Sequence, residues 1–137
     1  MIRAPALQLP SPLPGRRVVT GTPVGGRFKE RPTDFLVEEL PLYEPTGQGE
    51  HLYLRIAKTD LPHHEMMRVL SAHFQVPEFA IGFAGMKDRV AVTSQTVSIH
   101  LPRRPELKSI QDDRMQVLWA DWHANKLRRG HLAGNRF

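Results

Sequence analysis

Short runs that alternate or cluster apolar residues in the manner of β-strands recur five times along this chain, against one stretch with helical spacing. The strand-like runs are Phe35 to Leu40, Leu52 to Ile56, Ile81 to Ala84, Val90 to Leu101, and Met115 with Val117 and Trp119. Alternation with a period of two buries one face of a sheet. In the helical stretch, Met66, Val69, Leu70 and Phe74 fall at i, i+3, i+4 and i+8 and make one apolar stripe. Asp60 offers an N-cap, Pro62 suits an early helical position and Pro77 ends the helix. The pattern predicts an α+β fold, a largely antiparallel mixed sheet with a flanking helix. The turn residues Pro45-Thr46-Gly47-Gln48-Gly49 predict a hairpin with a wide loop joining the first two strands.

With 137 residues the chain is about one domain. Pro5, Pro10, Pro12 and Pro14 mark residues 1–20 as a proline-rich, flexible arm, leaving 21–137 as the folded part. No cysteine is present, which excludes disulfides and thiolate metal sites and fits a cytoplasmic setting. No apolar run approaches the ~20 residues of a spanning helix, so no membrane partner is expected. The 19 Lys and Arg against 14 Asp and Glu, a net charge of +5, point to an anionic partner, with nucleic acid foremost.

The seven histidines lack an H-x-x-x-H spacing, and His63 and His64, being adjacent, diverge on a helix. No metal is expected. Phosphate-loop and dinucleotide patterns are missing as well, so nucleotide-triphosphate and dinucleotide readings are dropped, and there is no serine nucleophile elbow.

Three segments carry chemistry. In Gly85-Met86-Lys87-Asp88-Arg89, a carboxylate stands between two cations after a glycine that permits a tight turn. Nearby positive charge favours the ionised form, and Lys87 and Arg89 can hold phosphate while Asp88 works on sugar or base. Thr93, Ser94 and Gln95 follow as outward polar positions. The plainer reading of Asp88 is a turn residue bonded to backbone amides. The second segment, Arg27 to Glu39, is either a basic turn leading to an edge strand with a solvated acidic end, or a site with Lys29 beside an anion and Phe35 against a base. The third, Asn125 to Phe137, places Lys126, Arg128 and Arg129 ahead of Gly134-Asn135-Arg136-Phe137. Here the cations suit phosphates, Asn135 an acid or base edge, and Phe137 an extruded base. The alternative is a basic surface loop with a capping Asn and a core Phe.

Taken together these segments resemble the TruD family of tRNA pseudouridine synthases. The resemblance lies in Phe28-Lys29 through Glu38, in Gly85-Met86-Lys87-Asp88-Arg89-x-Ala91-x-Thr93-x-Gln95, and in Lys126-Leu127-Arg128-x-Gly130-x-Leu132-x-Gly134-Asn135-x-Phe137, with a weaker match in Glu44 to His51. It covers roughly residues 21 to 137, and the middle block is the most specific. It implies part of a divided-sheet synthase fold that isomerises a uridine of tRNA, at tRNA position 13, without metal or cofactor. It implies Asp88 as the catalytic aspartate, Lys29 and Phe35 near the active site, Asn135 supporting the acid and Phe137 packing on the target base. Family members continue past Gly-Asn-x-Phe, so the chain is expected to hold the half of the cleft with Asp88 and to be inactive alone. The competing expectation is a non-catalytic RNA-binding fragment.

Overall fold

The computed structural model describes residues 30–137. The proline-rich arm and Lys29 lie outside the described residues. Six strands and one α-helix follow in the order β1 (Leu36–Pro41), β2 (His51–Thr59), α1 (His63–Phe74), β3 (Ile81–Phe83), β4 (Val92–His100), β5 (Met115–His123) and β6 (Leu132–Arg136). The α+β class and the mainly antiparallel mixed sheet are as the sequence predicts.

The strand order is β5-β2-β4-β1-β6, with β3 beside β4. Every pairing is antiparallel except β1 with β4. The expected β1–β2 hairpin does not form. Instead β4 lies between them and pairs with β2 from His51↔His100 to Thr59↔Val92. Both strands of that pair bury several residues of the same face. A long match of this kind outweighs the local closure that a wide loop would offer.

One side of the sheet packs on α1. Leu52, Leu54 and Ile56 of β2 and Val97 and Ile99 of β4 meet Met66, Met67 and Leu70 there, with Leu61, Ile81, Leu101 and Met115 completing the cluster. Burying one such aliphatic side chain contributes about 1.5–3 kcal/mol. The helix starts two residues later than Asp60 would set it. Pro62 is the residue before its first turn, and Asp60 adopts φ 48° and pairs with Arg89. At the other end Gln75 turns left-handed at φ 54°, Val76 N–H donates to the Ser71 carbonyl at 3.1 Å, and Pro77 follows.

Two further departures bear on the site. The polar, basic stretch near the C-terminus forms a strand, β6, although it has no apolar alternation. It pairs with β1 through Glu38↔Arg136 and Glu39↔Asn135. As a result β1 is not the edge strand expected but lies between β4 and β6. Its acidic end is not solvated either, because Glu39 is 1% exposed. Likewise Thr93 and Gln95 point inward and are buried, in contrast to their predicted outward placement.

Candidate active site

The site grows from a division in the sheet beside β4. β1 pairs with Val92 to Ser94, and β3 pairs with Val97 to Ile99. Between them the Thr96 backbone N–H has no strand partner on that side. The Glu39 carboxylate takes its place, accepting that N–H at 3.1 Å through Oε1. Glu39 Oε2 in turn lies 2.9 Å from Lys87 Nζ, and both side chains are 5% exposed or less. Removing one partner of such a pair would leave a buried charge uncompensated, at a cost of roughly 3–5 kcal/mol.

That ion pair fixes the loop of residues 84–91, which runs from β3 to β4. Lys87 points in to Glu39, while the next residue, Asp88, is exposed. Beneath the loop lies Lys58 of β2, 1% exposed, whose ammonium donates to the carbonyl oxygens of Leu61 at 2.8 Å and Asp88 at 3.2 Å. Burial pushes the Lys58 pKa down to about 8, the Asp88 charge acts to raise it, and Lys87 lowers it further. Arg89 pairs with Asp60 at 3.3 Å. Each flanking cation of Asp88 therefore has another carboxylate for a partner.

The Glu39↔Asn135 register puts Asn135 on the same face as Glu39, because directly opposed residues of an antiparallel pair share a face. Asn135 is exposed. One residue beyond β6, Phe137 stacks on Phe35 with ring centroids 5.7 Å apart and planes 15° apart, and it stays 79% exposed. Asp88, Lys87, Glu39, Asn135, Phe35 and Phe137 are thus joined through neighbouring strands and one ion pair. The sequence joins three distant segments here. Glu39 and Lys58 were not singled out by sequence reasoning. Their signal was a polar residue at a strand position whose alternation faces inward.

The basic segment is built differently. Leu127 is buried and its N–H donates to Ser98 Oγ at 2.9 Å. Tyr53 Oη donates to the Asn125 carbonyl at 2.8 Å, and Gly130 N–H donates to the Ala84 carbonyl at 2.9 Å. A side chain at Gly82 would collide with the Leu127 carbonyl, so β3 needs glycine where this segment crosses it. With Leu127 turned in, Arg128 and Arg129 are exposed. The Arg129 guanidinium lies 5.5 Å from the Phe83 ring centroid, and Lys126 Nζ donates to the Phe79 carbonyl. His63, at the start of α1, packs its ring edge to face with Phe83 at 4.4 Å. Burial first, and then the charges of Lys58 and Arg129, lower its pKa.

Among the described residues, no group of three His, Asp or Glu side chains is placed to hold a metal ion, and no helix is long and apolar enough to cross a membrane.

The family profile described as tRNA pseudouridine synthase D (TruD) matches residues 16–137. A tRNA pseudouridine synthase D from Geobacter sulfurreducens is 49% identical over 113 residues, which are 82% of this chain and 28% of that protein. One from Syntrophotalea carbinolica is 47% identical over 114 residues, 83% of this chain and 29% of the relative. The crystal structure of a TruD protein from Methanosarcina mazei superposes with a TM-score of 0.70 at 31% identity, covering 83% of this chain and 26% of that one. The chain spans less than a third of the length of these proteins.

Proposed function

Because the chain belongs to the tRNA pseudouridine synthase D family, we propose that it supplies the carboxylate half of an active site converting a tRNA uridine, at tRNA position 13, to pseudouridine. The carrying observation is the placement of Asp88. It is exposed on a loop held from inside by the Glu39–Lys87 ion pair and by Lys58, and the strand bearing Asn135 lies against the one bearing Glu39.

The isomerisation breaks the N1–C1′ bond, turns the base and forms C5–C1′. The C5 proton is lost and N1 gains one, so no net proton or electron is consumed. The target must leave the stack first, which costs a few kcal/mol. Arg128 and Arg129, with Lys126, offset part of that cost through phosphate contacts, and Lys87 and Arg89 brace the loop. Asp88 acts in its ionised form, by adding to C1′ or C6 or by taking the C2′ proton. Asn135 supports it from β6. Phe137, already stacked on Phe35, offers a face to the extruded uracil. For Lys29, which lies outside the described residues, the family resemblance implies a cation that keeps Asp88 ionised. The chemistry needs no metal or cofactor, and the reading fits a cytoplasmic enzyme.

Since the chain corresponds to under a third of its relatives' length, the 137 residues alone are expected to turn over little or no tRNA. The test uses a hybrid in which they replace the matched part of the Geobacter sulfurreducens relative. Tritium release from C5-labelled, unmodified tRNA should be robust for the hybrid and absent for its Asp88→Asn variant. Continued release from Asp88→Asn would remove Asp88 from the catalytic role. A binding-only fragment instead predicts tRNA affinity with no Asp88-dependent adduct on 5-fluorouridine tRNA.

A further inference from the structure

Lys58 is a buried cation on the helix face of the sheet that packing does not explain. Leu52, Leu54 and Ile56, which precede it on the same strand and face, belong to the apolar core. In the register it stands between Thr93 of β4 and Met115 of β5, with both buried. A face built only for burial would carry an aliphatic side chain there, because taking an ammonium out of water is costly. The ammonium instead reaches two main-chain oxygens, that of Leu61 just ahead of α1 and that of Asp88 at the centre of the loop.

The charges facing it come from three elements. The Asp88 carboxylate favours the ammonium and Lys87 opposes it. Lys87 is itself neutralised by Glu39 on β1. His63, from α1, feels the Lys58 charge as one that disfavours its own protonation. Only Asp88 is thus both hydrogen-bonded to Lys58 through its main chain and coupled to it through its charge.

We propose that Lys58 is a positioning residue for Asp88: its ammonium pins the Asp88 peptide from beneath and attracts the Asp88 side chain, holding it in place. The catalytic half of this statement rests on the reading of Asp88 given above. Since burial brings Lys58 down to about 8, this support is present at neutral pH and fades in mildly alkaline solution.

The first test follows Lys58 by NMR in the 137-residue chain with labelled lysine side chains, the Lys58 signal being assigned by its loss in Lys58→Met. It should titrate near 8, and Asp88→Asn should lower that midpoint by about 0.5 or more, because it removes the charge and keeps the main-chain oxygen. A midpoint unmoved by Asp88→Asn would overturn the proposal and leave Lys58 as a structural clamp. The second test uses the hybrid synthase. Lys58→Met should lower kcat by about 100-fold and leave KM for tRNA within about twofold. Lys58→Arg should recover part of that loss and move the alkaline limb of the kcat profile upward. Unchanged kcat in Lys58→Met would also overturn the proposal. The Met variant loses a buried charge and should unfold no earlier than the parent, and the Asp88→Asn titration, which leaves Lys58 in place, decides the point if it does. Were Asp88→Asn still active, the catalytic reading would fail while the titration alone judged the pairing.

Discussion

Lys58 carries a charge where its strand neighbours carry hydrocarbon, and that placement has a thermodynamic signature apart from any role in catalysis. Its pKa in the fold is about 8, below the 10.5 of an unburied lysine. Between those values the unfolded chain holds a proton on Lys58 that the folded chain has released. Stability must therefore rise with pH across that window, by roughly 1.4 kcal/mol per pH unit from this one group. Below about pH 8 both states are protonated and the whole burial penalty is felt. Urea unfolding at pH 7, 8, 9 and 10 should show Lys58→Met as the more stable protein at neutral pH, with its advantage shrinking as pH rises. A constant difference across the series would mean that Lys58 keeps its proton in the fold. The sequence marks this residue only by parity: Leu52, Leu54, Ile56 and Lys58 share one face, and the last breaks the apolar pattern.

At the scale of elements, the sequence shows where strands and the helix lie better than it shows their neighbours. The Met66, Val69, Leu70, Phe74 stripe is the helix face that packs on the sheet, since a period of 3.6 leaves few alternatives. A period of two states which residues share a face and says nothing of which strand lies alongside, so the β1–β2 hairpin was a local inference that β4 displaced. β6 escaped notice for a different reason: as an outer strand it gains order from main-chain pairing with β1, and Gly134 and Asn135 need bury nothing. The inward polar set of Glu39, Lys58, Thr93 and Gln95 was hidden because polarity reads as exposure until a charge partner is known. Asp88 was legible because it stands in a dense local motif, whereas Glu39 and Lys58 reach it from other strands. The crossing of β3 by the basic segment offers a test at this scale. Gly82→Ala places a methyl group against the Leu127 carbonyl and the Ser98 hydroxyl, an overpacking expected to cost about 1–3 kcal/mol. It should lower the urea midpoint and weaken tRNA binding together, because Leu127 cannot stay seated and the arginines beside it lose their support. Weakened stability with unaltered tRNA affinity would separate the segment from RNA contact.

Over the whole molecule, the net charge of +5 becomes a surface only where the fold turns cations outward, and it does so unevenly. Lys87 is spent on Glu39, Arg89 on Asp60, and Arg136 on Glu38 at 3.0 Å. Arg128 and Arg129 remain exposed beside the loop that carries Asp88. On the function proposed above, these two arginines contact the tRNA backbone. Counterion release makes the strength of such contacts visible as a slope of log K against log salt. Arg128, whose neighbour Leu127 anchors the main chain, can be truncated with little disturbance to the core. Arg128→Ala should therefore weaken binding of the 137-residue chain to tRNA about equally for all tRNA species and reduce the salt slope by about 1. In the hybrid synthase it should raise KM and leave kcat near its parent value, because the contact is made before and during reaction alike. An unchanged slope would place the tRNA backbone on another face, and the cation cluster at 126–129 would then serve the fold alone.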